Sequence, residues 1–103
     1  MRAVISAMHA NPARRWTLAD LARTGGMSRS SFAVRFKQTV GEPAMDYLTR
    51  WRMMLAADRL ASGRVSIATV APAVGYESES AFSAAFKRTF GHSPREFTKA
   101  VAV

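Results

Sequence analysis

FAVRFKQTVG, residues 32–41, returns as FSAAFKRTFG at residues 82–91, so that Phe32/Phe82, Phe36/Phe86, Lys37/Lys87, Thr39/Thr89 and Gly41/Gly91 each keep a separation of 50 residues. A Phe-x-x-x-Phe step places both rings on one side of a helix. The two stretches therefore predict two copies of a helix that buries an aromatic stripe, Phe32, Phe36 and Val40 in the first and Phe82, Phe86 and Phe90 in the second. Ser28 and Ser78 stand where N-caps are needed, and Gly41 and Gly91 stand at the left-handed C-terminal position.

Working outward, each copy is preceded by a second short helical pattern. Thr17 caps LADLART, with Asp20 three residues on completing a capping box, and Ser66 caps IATVAPAV. Gly25-Gly26 and Gly75 break these helices ahead of the Phe-bearing ones. Leu18/Ile67 and Gly26/Gly75 are 49 residues apart rather than 50, which makes the second turn one residue longer. The duplicated unit is thus helix, turn, helix. Two copies fall short of the three or more that a stacked repeat array needs. Val4, Ile5 and Met8 predict a first helix stopped before Asn11-Pro12. Pro43 opens a long bridge over 43–62 with Tyr47, Leu48, Trp51, Met54, Leu55 and Leu60 on its apolar face, and Pro94 opens a short last helix. Apolar residues recur at three and four with almost no alternation, so the fold class is all-α, with seven helices: a first helix-turn-helix subdomain over 1–42, the bridge over 43–62 and a second subdomain over 63–103. Pro72 deletes a backbone hydrogen bond inside its helix, which predicts a kink or shortening at a cost of about 3 kcal/mol if uncompensated.

The composition narrows function. The chain has 103 residues, 15 Lys plus Arg against 7 Asp plus Glu, and a formal net charge of +8. That excess suits a polyanionic partner, nucleic acid or an anionic surface. The chain contains no cysteine, which removes disulfides, thiolate metal sites and cysteine nucleophiles. His9 and His92 have no partner at metal-ligand spacing, and no serine sits in a nucleophile elbow, so no catalytic residue, metal or cofactor is expected. No stretch is apolar over a membrane-spanning length, and a cytoplasmic location follows as the expectation. A basic membrane-surface helix would explain the charge but not the duplication of a two-helix unit.

Opposite the phenylalanines, the first Phe-bearing helix carries Ser30, Val34 and Lys37, and the second carries Ser80, Ala84 and Lys87. Small residues let a helix backbone approach base edges in a major groove while flanking cations meet phosphates. Helix N-termini near Ser28 and Ser78 favour anions as well.

These residues carry a resemblance. LADLARTGGMSRSSFAVRFKQTVGEPAMDYL, the Arg52 and Ala56 spacing in the bridge, and IATVAPAVGYESESAFSAAFKRTFGHSPREF together resemble the C-terminal DNA-binding module of AraC/XylS-type transcription regulators, from about Val4 to about Ala100. The resemblance implies two helix-turn-helix subdomains joined by a long helix, binding double-stranded promoter DNA and, in most members, activating transcription through contact with RNA polymerase. Carried over by position, the base-facing places are Ser30, Ala33 and Val34 in the first recognition helix and Glu79, Ser80, Ser83 and Ala84 in the second. The phosphate-facing places are Ser28, Arg29, Lys37, Ser78, Lys87 and Arg88. Several relatives place Arg or Gln where this chain has Ala33, Val34 and Ala84, so readout here is expected to use thymine methyls at Val34 and Ala84, Glu79 or Ser80, and DNA shape. The recognition helices are expected to read segments about 34 Å apart, one turn of B-DNA, as a monomer. The chain is expected to be part of a longer, effector-responsive regulator, with a free-standing activator as the alternative. A protein-interaction module that binds polymerase or a regulator without reading DNA is the rival from another class.

Overall fold

A computed structural model describes residues 1–101 of the chain. Among them there are seven α-helices and no strand: α1 Arg2–Ala10, α2 Leu18–Thr24, α3 Arg29–Val40, α4 Ala44–Ala61, α5 Ile67–Ala73, α6 Glu79–Phe90 and α7 Pro94–Val101. The all-helical, seven-helix reading holds.

The chain divides between Thr49 and Arg50 into two units. In the first, Val4 and Met8 of α1, Trp16, Leu21 and Ala22 of α2, Phe32 and Phe36 of α3, and Ala44 and Leu48 of α4 form one core. In the second, Met53, Ala56 and Leu60 pack with Val70, Ala71 and Val74 and with Phe82, Ala85 and Phe86. Each buried phenylalanine stabilises its core by about 2–3 kcal/mol relative to exposure. Phe36 lies against Phe32 and meets Tyr47 edge-on at 5.6 Å. Phe86 meets Phe82, Phe90 and Phe97 at centroid separations of 5.8, 4.7 and 5.5 Å.

Two expectations about packing are corrected. Phe90 is 38% exposed, lying edge-on over Phe86 at the end of α6 instead of continuing the buried stripe, while its counterpart Val40 is half-buried. Met54 is 48% exposed where Met53 is fully buried. A 100° step separates these neighbours around α4, so only one of them faces the core.

The turns explain the slip in spacing. α2 ends with Met27 N–H donating to Ala22 O and Gly26 N–H to Arg23 O; α5 ends with Tyr76 N–H donating to Ala71 O and Gly75 N–H to Pro72 O. Both are Schellman closures, and each needs a left-handed residue, supplied by Gly26 at φ 69° and Gly75 at φ 92°. The offset is still 49 through Tyr76, so the extra residue is Glu77, inserted after the closure and before the Ser78 cap.

Pro72 does not shorten its helix. α5 and α2 have seven residues each, because Pro72 sits in the last turn. There its carbonyl still accepts the closing bond from Gly75, and only one interior hydrogen bond is forfeited.

Candidate nucleic-acid interface

Local sequence fixes how α3 and α6 enter their units. Ser28 Oγ accepts from Ser31 N–H at 3.3 Å, and Ser78 Oγ accepts from Ala81 N–H at 3.1 Å. The hydroxyl oxygens that were assigned to phosphates therefore cap their helices, and the hydroxyl hydrogens remain as donors. At the far ends, Gly41 and Gly91 each donate to the carbonyl of the lysine four residues back, Lys37 and Lys87, at 2.8 Å.

The supporting helices are held by reciprocal caps. Thr17 Oγ1 accepts from Asp20 N–H at 3.0 Å while Asp20 Oδ2 accepts from Thr17 N–H at 3.1 Å. Those bonds, with Arg14 and Arg23 nearby, hold the Asp20 carboxyl below the usual carboxylate range. The sequence reading missed the same device at α7. Ser93 N–H donates to Glu96 Oε1 at 3.0 Å and Glu96 N–H to Ser93 Oγ at 3.1 Å, which pulls Glu96 down likewise. The Ser-x-x-Glu spacing was the available signal. His9 is exposed, and its Nε2 lies 2.9 Å from Tyr47 Oη.

All the sequence-predicted site residues lie on, or at the N-cap of, α3 or α6; Ser30, Val34 and Lys37, and Ser80, Ala84 and Lys87, are on the side away from the phenylalanines. Ser28, Arg29, Ser30, Val34, Lys37, Ser78, Glu79, Ser80, Ala84, Lys87 and Arg88 are exposed; the paired positions Ala33 and Ser83 are half-buried. Each unit gathers part of this set in a cleft. In the first, Ala33, Val34 and Lys37 line a cleft of about 350 Å³ with Leu18 and with Pro43, Ala44 and Met45 from the start of α4. In the second, Glu79, Ser80 and Ser83 line a cleft of about 530 Å³ with Ile67 and with Ser93, Pro94 and Arg95 from the start of α7. Ser30 and Val34 also share a shallow depression with Ser31, Arg35 and Gln38.

The sequence reading did not include Leu18, Met45, Ile67, Ser93 and Arg95 among the site residues; the 50-residue separation pairs Met45 with Arg95 but does not by itself place them beside α3 and α6. The two clefts occupy corresponding places. Both lie between a Phe-bearing helix, α3 or α6, the start of the helix before it and the start of the helix after it.

No group of three or more His, Cys, Asp or Glu side chains that could hold a metal occurs among the described residues, and none of their helices is long and apolar enough to cross a membrane.

Residues 21–100 match the family model described as a helix-turn-helix domain. The chain is 52% identical over 95 residues to a Streptomyces lividans protein named as AraC-like, covering 92% of this chain and 31% of that one. It is 43% identical to the HTH-type transcriptional regulator AlkR of Acinetobacter baylyi, covering 90% of this chain and 30% of that one. The chain thus spans about a third of the length of the curated relatives it matches. Among solved structures, a DNA-binding transcriptional dual regulator from Escherichia coli K-12 superposes with a TM-score of 0.87 at 30% identity, covering 96% of this chain and 88% of that one. The DNA-binding domain of AdpA, a global transcriptional factor solved in complex with a target DNA, superposes with a TM-score of 0.85 at 28% identity, covering 94% and 87%.

Proposed function

The chain belongs to the AraC-type helix-turn-helix family of DNA-binding transcription regulators, which is not a family of enzymes, and from that premise we propose that it binds double-stranded promoter DNA sequence-specifically, with α3 and α6 entering successive major-groove segments. The observation that carries this reading is the duplication itself. Two capped helices of twelve residues present a small-residue face with a lysine at the same place, Lys37 and Lys87, in a chain of net charge +8. Side chains of Ser, Ala and Val at Ser30, Ala33, Val34, Ser80, Ser83 and Ala84 leave room for base edges, and Arg29, Lys37, Lys87 and Arg88 flank them at phosphate positions. Ser28 and Ser78 add hydroxyl donors at the helix starts. The domain acts as a monomer within a longer effector-responsive activator that contacts RNA polymerase.

Selection from randomised duplex DNA at near-physiological salt tests the reading. Enrichment of two short motifs, centred about one helical turn apart, is the expected result; retention without enrichment leaves only phosphate-driven binding and overturns it. Lys37→Ala and Lys87→Ala should each weaken binding across sequences and lower the salt slope by about one unit. Transcription in vitro from a promoter carrying the selected motif, with and without the protein, tests activation. Sedimentation of the domain and of its DNA complex tests the monomer.

A further inference from the structure

We infer that the two units read chemically unequal DNA: the first a segment bearing thymine, through an apolar cleft that Met45 completes, and the second a segment bearing cytosine at Glu79, with Arg95 on the adjoining phosphate. This rests on the DNA-binding reading above and assigns base chemistry and two further residues to it.

The clefts correspond in position but not in chemistry. The first is lined by Leu18, Ala33, Val34, Pro43, Ala44 and Met45, with Lys37 as its one charged side chain. Val34 is 58% exposed and Met45 37%, so two apolar side chains from α3 and α4 stand open at the place proposed to meet DNA. A base edge offers such a surface one apolar group in the major groove, the thymine C5-methyl. Lys37 at the rim, with exposed Arg29 and Arg35 on the same helix, gives the cleft the charge to be drawn against phosphates.

In the second unit, Glu79 takes the place of Arg29, and Arg95 that of Met45. Glu79 is the first residue of α6, where a carboxylate suits the helix dipole. It also lines the cleft with Ser80, Ser83, Ser93 and Arg95. An ionised carboxylate only accepts hydrogen bonds, and among phosphates it gains most where it meets an exocyclic amine; cytosine N4 is the single-donor edge that fits. Arg95, exposed at the mouth of the same cleft, supplies the cation that the carboxylate otherwise lacks there.

The experiment begins with the motifs selected by the wild-type domain and replaces each thymine in turn by uracil, which removes the C5-methyl and nothing else. Weakening of about fourfold per contacted methyl is expected, confined to one half-site, so that Ala84, which is absent from the lining of the second cleft, makes no thymine-methyl contact of the kind its sequence position suggested. Glu79→Gln should move base preference from cytosine toward adenine in the other half-site. Met45→Arg should reduce the uracil effect below about twofold and steepen the salt slope by about one unit, while Arg95→Met should make it shallower by the same amount. Thermal melting of each variant shows that it folds. Uracil without effect, an equal uracil effect in both half-sites, or a Glu79→Gln shift in the same half-site as the uracil effect overturns the inference while DNA binding stands. Absence of any selected motif overturns the DNA-binding reading first, and this inference with it.

Discussion

In the two units the phenylalanines are equally buried: Phe32 and Phe82 are fully buried, as are Phe36 and Phe86, and the Phe32–Phe36 and Phe82–Phe86 rings are 5.7 and 5.8 Å apart. At exposed positions the counterparts part company. Arg29 corresponds to Glu79, Val34 to Ala84, Gln38 to Arg88 and, at the next helix start, Met45 to Arg95. The inward positions must fill a fixed volume at crystal-like density, so their chemistry is pinned. The outward positions contribute little to stability and are free to follow whatever each copy binds. Much of the divergence falls at exposed positions, with exposed Arg35 against buried Ala85 as an exception, while Ser30/Ser80 and Lys37/Lys87 are unchanged.

The comparison can be broken most sharply in the cores. Phe86→Ala and Phe36→Ala should each cost about 3–5 kcal/mol, with Phe86 the more costly because three rings meet it rather than two. Urea denaturation followed by circular dichroism measures the difference, and equal losses would show that the ring contacts of the second unit add nothing. Thr17→Ala should cost about 1–2 kcal/mol and Ser66→Ala about 1 kcal/mol. The Thr17 cap is a reciprocal box, whereas Ser66 Oγ accepts from Thr69 N–H alone on the backbone side. Pro72→Ala should change stability by less than about 1 kcal/mol, since the regained hydrogen bond is offset by a freer unfolded chain. A gain near 3 kcal/mol would reinstate the strain that the sequence suggested.

Acid provides a finer probe. Asp20 and Glu96 both have carboxyl pKa values lowered by their cap bonds. A lowered folded value means the stabilisation is complete above the unfolded pKa and is lost as pH falls through the folded one. Melting temperature should therefore decline below about pH 4, and Asp20→Asn and Glu96→Gln should each flatten part of that decline. A profile unchanged in both variants would remove the caps as its cause.

The helices and their ends were legible because their signals are local: a cap at Ser28, a break at Gly41, a proline ahead of α4. The exposure of Ser30, Val34 and Lys37 on α3, and of Ser80, Ala84 and Lys87 on α6, was legible from the wheel and the repeat together. Phe90 misled because periodicity says which side a residue faces but not where the partner elements stop, and at the last turn of α6 little remains to cover the ring. The cleft walls contributed by Met45 and Arg95 were hidden for a related reason: they come from the helix after the recognition helix, and a periodicity reading treats each helix alone. The shortening expected at Pro72 does not occur because a proline's effect depends on depth within the helix, and in seven-residue α5 Pro72 already lies in the last turn.

Glu77 occupies the gap between the bond that closes α5 and the cap that starts α6. At that point neither helix owns the backbone, so one residue has been added without altering a closure, a cap or a buried ring. The matching gap in the first unit lies between Met27 and Ser28. Length variation among duplicated units of this kind should collect there, as a seam at which the chain can be let out or taken in while both halves of the motif keep their shape.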